Sequence, residues 1–423
     1  VRTRANRVRN LLRTATAALL VVGLAACGSG SGSSGNEDGD ALAEGAPINL
    51  GLLTSLSGGY SSGFVRAEKG VKARLELENA KGGVNGHKLT FTTADDTSTP
   101  DGAAKAVRKL TQQDKVFGII DASPVFYGAA PLTKQAGIPV SGASFDGSPA
   151  WLDDSYTNLF DAYGYGDPDK AFTTYGKFFK SQGATKVAAL GNVSPSSAAS
   201  AAGVVISAEK AGLQRGYLNT KLQPGTTDVG PIVLAIKNSK SDAVYMAVPP
   251  ATAFAVIAGL RQAGVTLKSS VLATGYGGAL LQSEAAVAVG QGINFGSAFT
   301  PIEANTPQTK AFQEALVKYA GDTAPPDFGA YVGWVTADLF IHGLKQAGDE
   351  ISQKSFIENT RKSTWDGAGM AKPTDFSNIT HSTPGLGPDG CVNILKLTGK
   401  KFVPIEGASP ICGEEIPGVD PLP

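Results

Sequence analysis

The sequence predicts an α/β protein made of two doubly wound parallel-sheet lobes. Two observations carry that expectation. Short apolar runs of strand character alternate with stretches of helical period in two successive series, and connections of this kind run right-handed and build parallel sheets covered on both faces. Between the series lies an aromatic, glycine-rich joint, Asp161-Ala162-Tyr163-Gly164-Tyr165-Gly166, and the body from residue 48 to about residue 412 is long enough for two domains of ordinary size.

The first series opens with Ile48-Asn49-Leu50-Gly51-Leu52-Leu53, a buried strand that runs into a polar turn at 55–63. Ala67, Val71, Leu75 and Ala80 mark one face of the helix that follows, and Gly82-Gly83 ends it. The Asn85-Gly86 turn leads to a strand at 88–92, closed by Asp95-Asp96 and Pro100. A helix at 103–113, a strand at 116–120, a helix at 125–135 and a strand at 138–140 complete this half. In the second half helices are expected at 170–182, 196–211, 232–238 and 252–263, with strands at 186–190, 243–248, 270–274 and 293–299. Helices return at 307–319, 328–347 and 353–362, and strands at 392–397 and 402–405, joined at Thr398-Gly399-Lys400, form a last hairpin.

Ahead of the body, Arg2, Arg4, Arg7, Arg9 and Arg13 precede an apolar run at 15–24 that is too short to span a bilayer, followed by Ala25-Ala26-Cys27. Leu24-Ala25-Ala26-Cys27 resembles the box of bacterial lipoprotein signals, which is cleaved before a cysteine that receives lipid. The resemblance makes Cys27 the expected lipid anchor, residues 1–27 a signal peptide, and the chain extracytoplasmic. A plain secretory signal is the alternative. Residues 28–47 are Gly, Ser, Asp, Glu and Asn with little to bury, and read as a flexible tether. The 37 basic residues balance the 37 acidic ones with no basic block after the signal, which argues against nucleic acid as a partner. Outside the reducing cytoplasm Cys391 and Cys412 are expected to pair as a disulfide, stapling the C-terminal tail to the last strands.

The opening strand with Ser55-Leu56-Ser57-Gly58, the turn Lys81-Gly82-Gly83-Val84-Asn85-Gly86, Asp95-Asp96 with Pro100, and Gln135-Ala136-Gly137-Ile138-Pro139-Val140 stand in one order and spacing. Together they resemble the type I periplasmic binding proteins of the leucine/isoleucine/valine-binding group, receptors of ABC importers. The resemblance implies two lobes joined by three crossovers, with lobe 1 at 48–161 completed by 300–372, and lobe 2 at 162–299 completed by 373–412 and its hairpin. Residues 413–423 are then a tail. It further implies a small solute held between the lobes by closure, and ABC permease and ATPase subunits as partners. Hinges are expected near 163–166, after Phe299 and around 372–376.

Ligands of open parallel sheets sit beyond the carboxyl ends of strands, where helix N-termini offer unpaired N–H groups to a carboxylate. On the family's pattern the ligand-binding serine falls on Ser123, and the next contacts on Gly142 and Ser144. A second reading of these hydroxyls, as helix caps, stays open. The family's acidic partner for an ammonium group falls near Tyr276, in Thr274-Gly275-Tyr276-Gly277-Gly278, with no Asp or Glu beside it. Its aromatic positions fall near Ser196 and Pro249-Pro250. A buried ammonium without a counter-charge costs several kcal/mol. The expected ligand is therefore a carboxylate or amide with an apolar body, walled by Tyr60, Phe64, Phe126, Tyr163 and Tyr276, each of which also reads as core. A zwitterionic branched-chain amino acid receptor is the alternative, as is an extracellular sensing subunit with a signalling partner.

No metal, cofactor or catalytic role is expected. Adjacent carboxylates such as Asp95-Asp96 point to opposite faces of a strand and read as turn and cap acceptors. His87 is expected exposed beside its turn, His342 on a core helix and His381 far from both, with no metal-ligand spacing. The glycine clusters lack the phosphate-cradling spacing, and no Gly-X-Ser-X-Gly elbow precedes a helix.

Overall fold

The computed structural model describes residues 41–164, 169–378 and 390–421. Cys27, residues 28–40, Tyr165, Gly166 and His381 lie outside them. The first series forms β1 (Ile48–Thr54), α1 (Ser61–Phe64), α2 (Ala67–Asn79), β2 (Leu89–Asp95), α3 (Pro100–Arg108), β3 (Gly118–Ala122), α4 (Ala130–Ala136), β4 (Val140–Gly142) and β5 (Leu159–Asp161). Its five strands are all parallel in the order β2-β1-β3-β4-β5. Every residue of β3 is buried, as a central parallel strand requires. The helix expected at 125–135 begins later, with Pro131 inside its first turn, where a missing N–H disrupts nothing.

The second series forms α5 (Thr174–Ser181), β6 (Lys186–Asn192), α6 (Pro195–Lys210), β7 (Gln214–Leu222), α7 (Gly230–Ser239), β8 (Ala243–Ala247), α8 (Pro250–Gln262), β9 (Ser269–Leu272), α9 (Gly278–Leu281), α10 (Glu284–Gly290) and β10 (Asn294–Ser297). Its parallel strands run β7-β6-β8-β9-β10, the same winding as the first sheet.

The chain then returns to the first sheet through α11 (Pro307–Ala320), α12 (Phe328–Gln346), α13 (Gln353–Thr360) and the short ladder of β11 (Thr364–Trp365) and β12 (Thr374–Asp375). Helix α12 is fastened there by polar bonds as well as packing. Ser141 Oγ donates to the Thr336 carbonyl (2.7 Å), and Asp338 accepts from Arg74 Nε of α2 (2.6 Å) and Trp365 Nε1 (2.9 Å). A last passage leads to β13 (Cys391–Thr398), which extends the second sheet antiparallel to β10, and to β14 (Lys401–Pro404) and β15 (Ile411–Cys412), each antiparallel to β13. The chain thus crosses between the sheets three times, after β5, after β10 and after β12. A disulfide joins Cys391 to Cys412.

Two local expectations are corrected. Residues 41–47 are not free tether: Leu42 packs on the core and its N–H bonds the Ile351 carbonyl (2.9 Å). His87 is buried, with Nδ1 donating to the Ala46 carbonyl (2.7 Å). The described part of the tail pairs with the first crossover: the Thr173 N–H donates to the Glu414 carbonyl (2.9 Å) and the Ile416 N–H to that of Ala171 (2.8 Å).

Candidate functional site

In this winding the connections leave the first and third strands of each series on opposite faces, so a crevice opens beyond their carboxyl ends. The loops after β1 and β3 and those after β6 and β8 meet across such crevices and enclose a cavity of about 310 Å³. The lobes touch at its rim. Tyr60 Oη donates to Asn192 Oδ1 (2.9 Å), which also accepts the Ser194 N–H (2.9 Å), and Ser196 Oγ donates to the Phe145 carbonyl. Two glycines permit the approach: a Cβ on Gly59 would lie 2.5 Å from the Pro224 carbonyl, and one on Gly147, whose φ is +73°, 2.6 Å from the Ser196 nitrogen.

One side of the cavity is aromatic. Phe64 stacks on Phe145 with centroids 5.3 Å apart, Phe328 meets both edge-on (5.6 and 5.5 Å), and Tyr163 meets Phe145 edge-on (5.7 Å). The opposite side is polar. Asn192, Ser194, Ser196, Ser197 and Thr274 line it, the hydroxyls of Ser196, Ser197 and Thr274 donating to the carbonyls of Phe145, Ala247 and Val248, and the N-termini of α6 and α8 arrive there without side-chain caps, both opened by proline. Their N–H groups and partial positive charge suit an anion. Deeper in stand the phenols of Tyr175 and Tyr245, pushed up by burial so that they stay neutral hydrogen-bonding groups. Lys170, 3.5 Å from Glu415, is the cation among the described lining residues, and no carboxylate is among them.

The carboxylates of lobe 1 lie behind the loops. Asp96 accepts from Ser55 Oγ (2.7 Å), Ser123 Oγ (2.5 Å) and the Ser98 N–H (2.6 Å), while Asp95 accepts the N–H groups of Leu56 and Thr97. Asp161 accepts the Ser144 N–H (2.8 Å) and hydroxyl (3.0 Å). Asp146 accepts the Trp151 Nε1–H (2.8 Å) and the Ser148 N–H (3.1 Å) on Oδ1, and its Oδ2, like Asp121 Oδ2, is buried without a hydrogen bond. Burial pushes Asp146 up to about 7. Burial, reinforced by the neighbouring Asp146 charge, holds Asp121 well above the carboxylate range.

Of the sequence-predicted residues, Tyr60, Phe64, Ser144, Tyr163 and Ser196 line the cavity; Ser123, Gly142, Tyr276 and Phe126 do not. Ser123 is wholly buried: its hydroxyl donates to Asp96 and accepts the Val125 N–H (3.1 Å), a turn bond two residues on rather than a helix cap. Gly142 backs onto Trp151 and Asp121. Tyr276 turns away to donate to Glu303 Oε2 (2.5 Å) and packs on Phe402, so Thr274, two residues earlier, supplies that wall instead. Phe126 is core against Trp151. Sequence reading missed Phe145, Phe328, Asn192, Ser194, Tyr175 and Tyr245. The polar run Asn192-Val193-Ser194 between a buried strand and Pro195 is the signal that could have marked the loop after β6. Phe328 carries no local signal, because only the return of α12 to the first sheet brings it here. Among the described residues no group of three His, Cys, Asp or Glu side chains could hold a metal ion, and no helix is long and apolar enough to cross a membrane.

Residues 47–400 match the family described as periplasmic binding protein. The Leu/Ile/Val-binding protein BraC3 of Rhizobium johnstonii is 21% identical over 378 residues, covering 85% of this chain and 94% of that protein. Among solved structures, an ABC-transporter solute-binding protein from R. palustris in complex with benzoate is similar at 18% identity and TM-score 0.70, over 88% of this chain and 97% of that one. The branched-chain amino acid transporter substrate-binding protein LivJ from Streptococcus pneumoniae, in complex with isoleucine, is similar at 18% identity and TM-score 0.65, over 87% and 100%. With its two like-wound sheets, three crossovers and enclosed interlobe cavity, the chain belongs to the type I periplasmic binding proteins of the leucine/isoleucine/valine-binding group.

Proposed function

We propose that the protein is the lipid-anchored, extracytoplasmic receptor of an ABC importer and that it captures a small organic acid or amide with an apolar body by closing its lobes. One observation carries the ligand assignment: the cavity joins ring faces to hydroxyls and two uncapped helix N-termini, with no carboxylate among its described lining residues. A carboxylate finds donors there. An ammonium would be buried without a counter-charge, at a penalty of several kcal/mol. Closure is supported by the rim, where Tyr60, Phe145 and Gly147 of one lobe meet Asn192 and Ser196 of the other, contacts that a ligand touching both lobes would favour. The closed rims of both lobes form the surface that a permease with its ATPase would read, and lipid on Cys27 would keep the receptor within reach of it.

Calorimetry with benzoate, phenylacetate, isovalerate and leucine tests the ligand class. The acids lacking an amine are expected to bind at least tenfold more tightly than leucine. Tight leucine binding that is lost on acetylating its amine would overturn the assignment and favour a branched-chain amino acid receptor.

A further inference from the structure

The cavity extends well beyond the lobe rim, along α6. Ser196 and Ser197 line it at the first turn, Ser200 one turn on, and Gly203 and Val204 at the next. From Ser196 to Val204 is eight residues of helix at ~1.5 Å each, an arm of about 12 Å. Glycine and serine on this face leave space that a packed interior normally fills.

The far end of the arm has a wall of its own. Among the described residues it is made by Lys170, Ala171 and Phe172 from the first crossover and Gly390 to Val392 at the start of β13. Thr174 Oγ1 donates to the Gly390 carbonyl, the tail pairs with residues 171–173, and the disulfide fixes Cys391 to Cys412. Where the arm leaves the cleft, the rings of Tyr175 and Tyr245 pack 4.8 Å apart, and Tyr245 Oη shares a 2.7 Å hydrogen bond with Ser200 Oγ. The lining is thus mixed at its end, where Lys170, 3.5 Å from Glu415, stands beside Ala171 and Phe172, and hydroxylic at its neck.

We propose that this arm is a tail subsite and that the ligand is an elongated organic acid, its head at the N-termini of α6 and α8 and its chain laid along α6 toward the disulfide-clamped wall. The proposal rests on the organic-acid reading above and adds the shape of the ligand. A compact ligand would leave the arm without partner atoms and forfeit those contacts. Gly203 bounds the arm: a Cβ there would sit in ordinary contact with Ala171 (3.7 Å) and Pro421 (3.9 Å), so a longer side chain would crowd the gap between α6 and the first crossover.

The test is calorimetry with straight-chain monocarboxylates from butyrate to dodecanoate, on the wild type and on Gly203→Leu, a better helix former than glycine. Wild-type affinity is expected to rise at least tenfold along the series to an optimum, and Gly203→Leu to move that optimum to shorter acids. The wild-type profile stands by itself should the variant not fold. Short acids binding with no gain from length, or a variant that weakens all lengths alike, would overturn the tail subsite and leave the organic-acid reading intact. No acid of any length binding, with a free amino acid binding instead, would overturn both.

Discussion

Asp146 offers the sharpest test of the electrostatics behind the first-lobe loops. Its carboxyl is fully buried, Oδ2 has no hydrogen bond, and burial raises it from 3.8 to about 7. Between those two values the native state holds a proton that the unfolded chain has released, so stability falls as pH rises from ~4 to ~7 and is level above. A shift of roughly three units at 1.36 kcal/mol each amounts to about 4 kcal/mol, of which about 3 falls between pH 5 and pH 8. Asp146→Asn keeps an oxygen for Trp151 Nε1 and the Ser148 N–H and removes the charge. His342 works in the opposite sense: burial depresses its imidazole, so the unfolded chain takes up a proton that the native state refuses, and this stability is lost as pH falls below ~6.5. The difference between variant and wild type isolates Asp146 from it. Urea denaturation at pH 5, 6, 7 and 8 is expected to show Asp146→Asn gaining on the wild type by about 3 kcal/mol across that range. A difference that stays constant with pH would refute a buried, proton-holding Asp146.

Gly59→Ala places a Cβ 2.5 Å from the Pro224 carbonyl only when the lobes are closed, so ligand affinity should drop tenfold or more in calorimetry while the ligand-free melting temperature holds. Tyr60→Phe removes the 2.9 Å bond to Asn192 across the rim and is expected to weaken binding by about 1 kcal/mol, roughly fivefold. Replacing Cys391 and Cys412 by serine opens a loop with a sequence separation of 21, which chain-entropy reasoning values at about 3 kcal/mol of stability, read as a lower urea midpoint.

The fold was legible wherever burial imposes a period. β1, β3, β6 and β8 are central parallel strands, nearly continuous apolar runs, and α12 is apolar almost all round because it lies between α2 and the first sheet. What escaped lies at edges and in short pieces. β7 is a half-exposed edge strand whose Gln214, Arg215, Asn219 and Lys221 break any apolar alternation, a sequence that also discourages edge-to-edge pairing. β5 is three residues long and merges with the joint at its end. For the site, Tyr60, Phe64, Ser144, Tyr163 and Ser196 line the cavity, while Ser123, Gly142, Phe126 and Tyr276 do not. A serine after β3 looks the same whether it faces solvent or a buried carboxylate, and only the neighbouring Asp96, brought in from β2's end, decides that Ser123 faces inward.

On the proposed reading the wall of the second lobe decides which charge the cleft accepts, and that wall can be rewritten. Thr274 lines the cavity at the end of β9, its hydroxyl donating to the Val248 carbonyl (3.1 Å), while Tyr276 and its partner Glu303 stand behind it. Thr274→Asp would set a carboxylate in the wall near the start of α8, where the helix terminus helps keep it ionised. Two opposite consequences follow from one charge. A simple acid now meets a like charge in a water-poor cleft and should lose at least tenfold in affinity. A free amino acid gains the counter-charge its ammonium lacked, and leucine should bind the variant more tightly than the wild type. Competition calorimetry reads both changes on one protein. If neither ligand responds, Thr274 does not face the ligand and the ammonium argument fails; if both weaken together, the substitution has damaged the lobe rather than inverted its preference, a result that the ligand-free melting temperature would reveal independently.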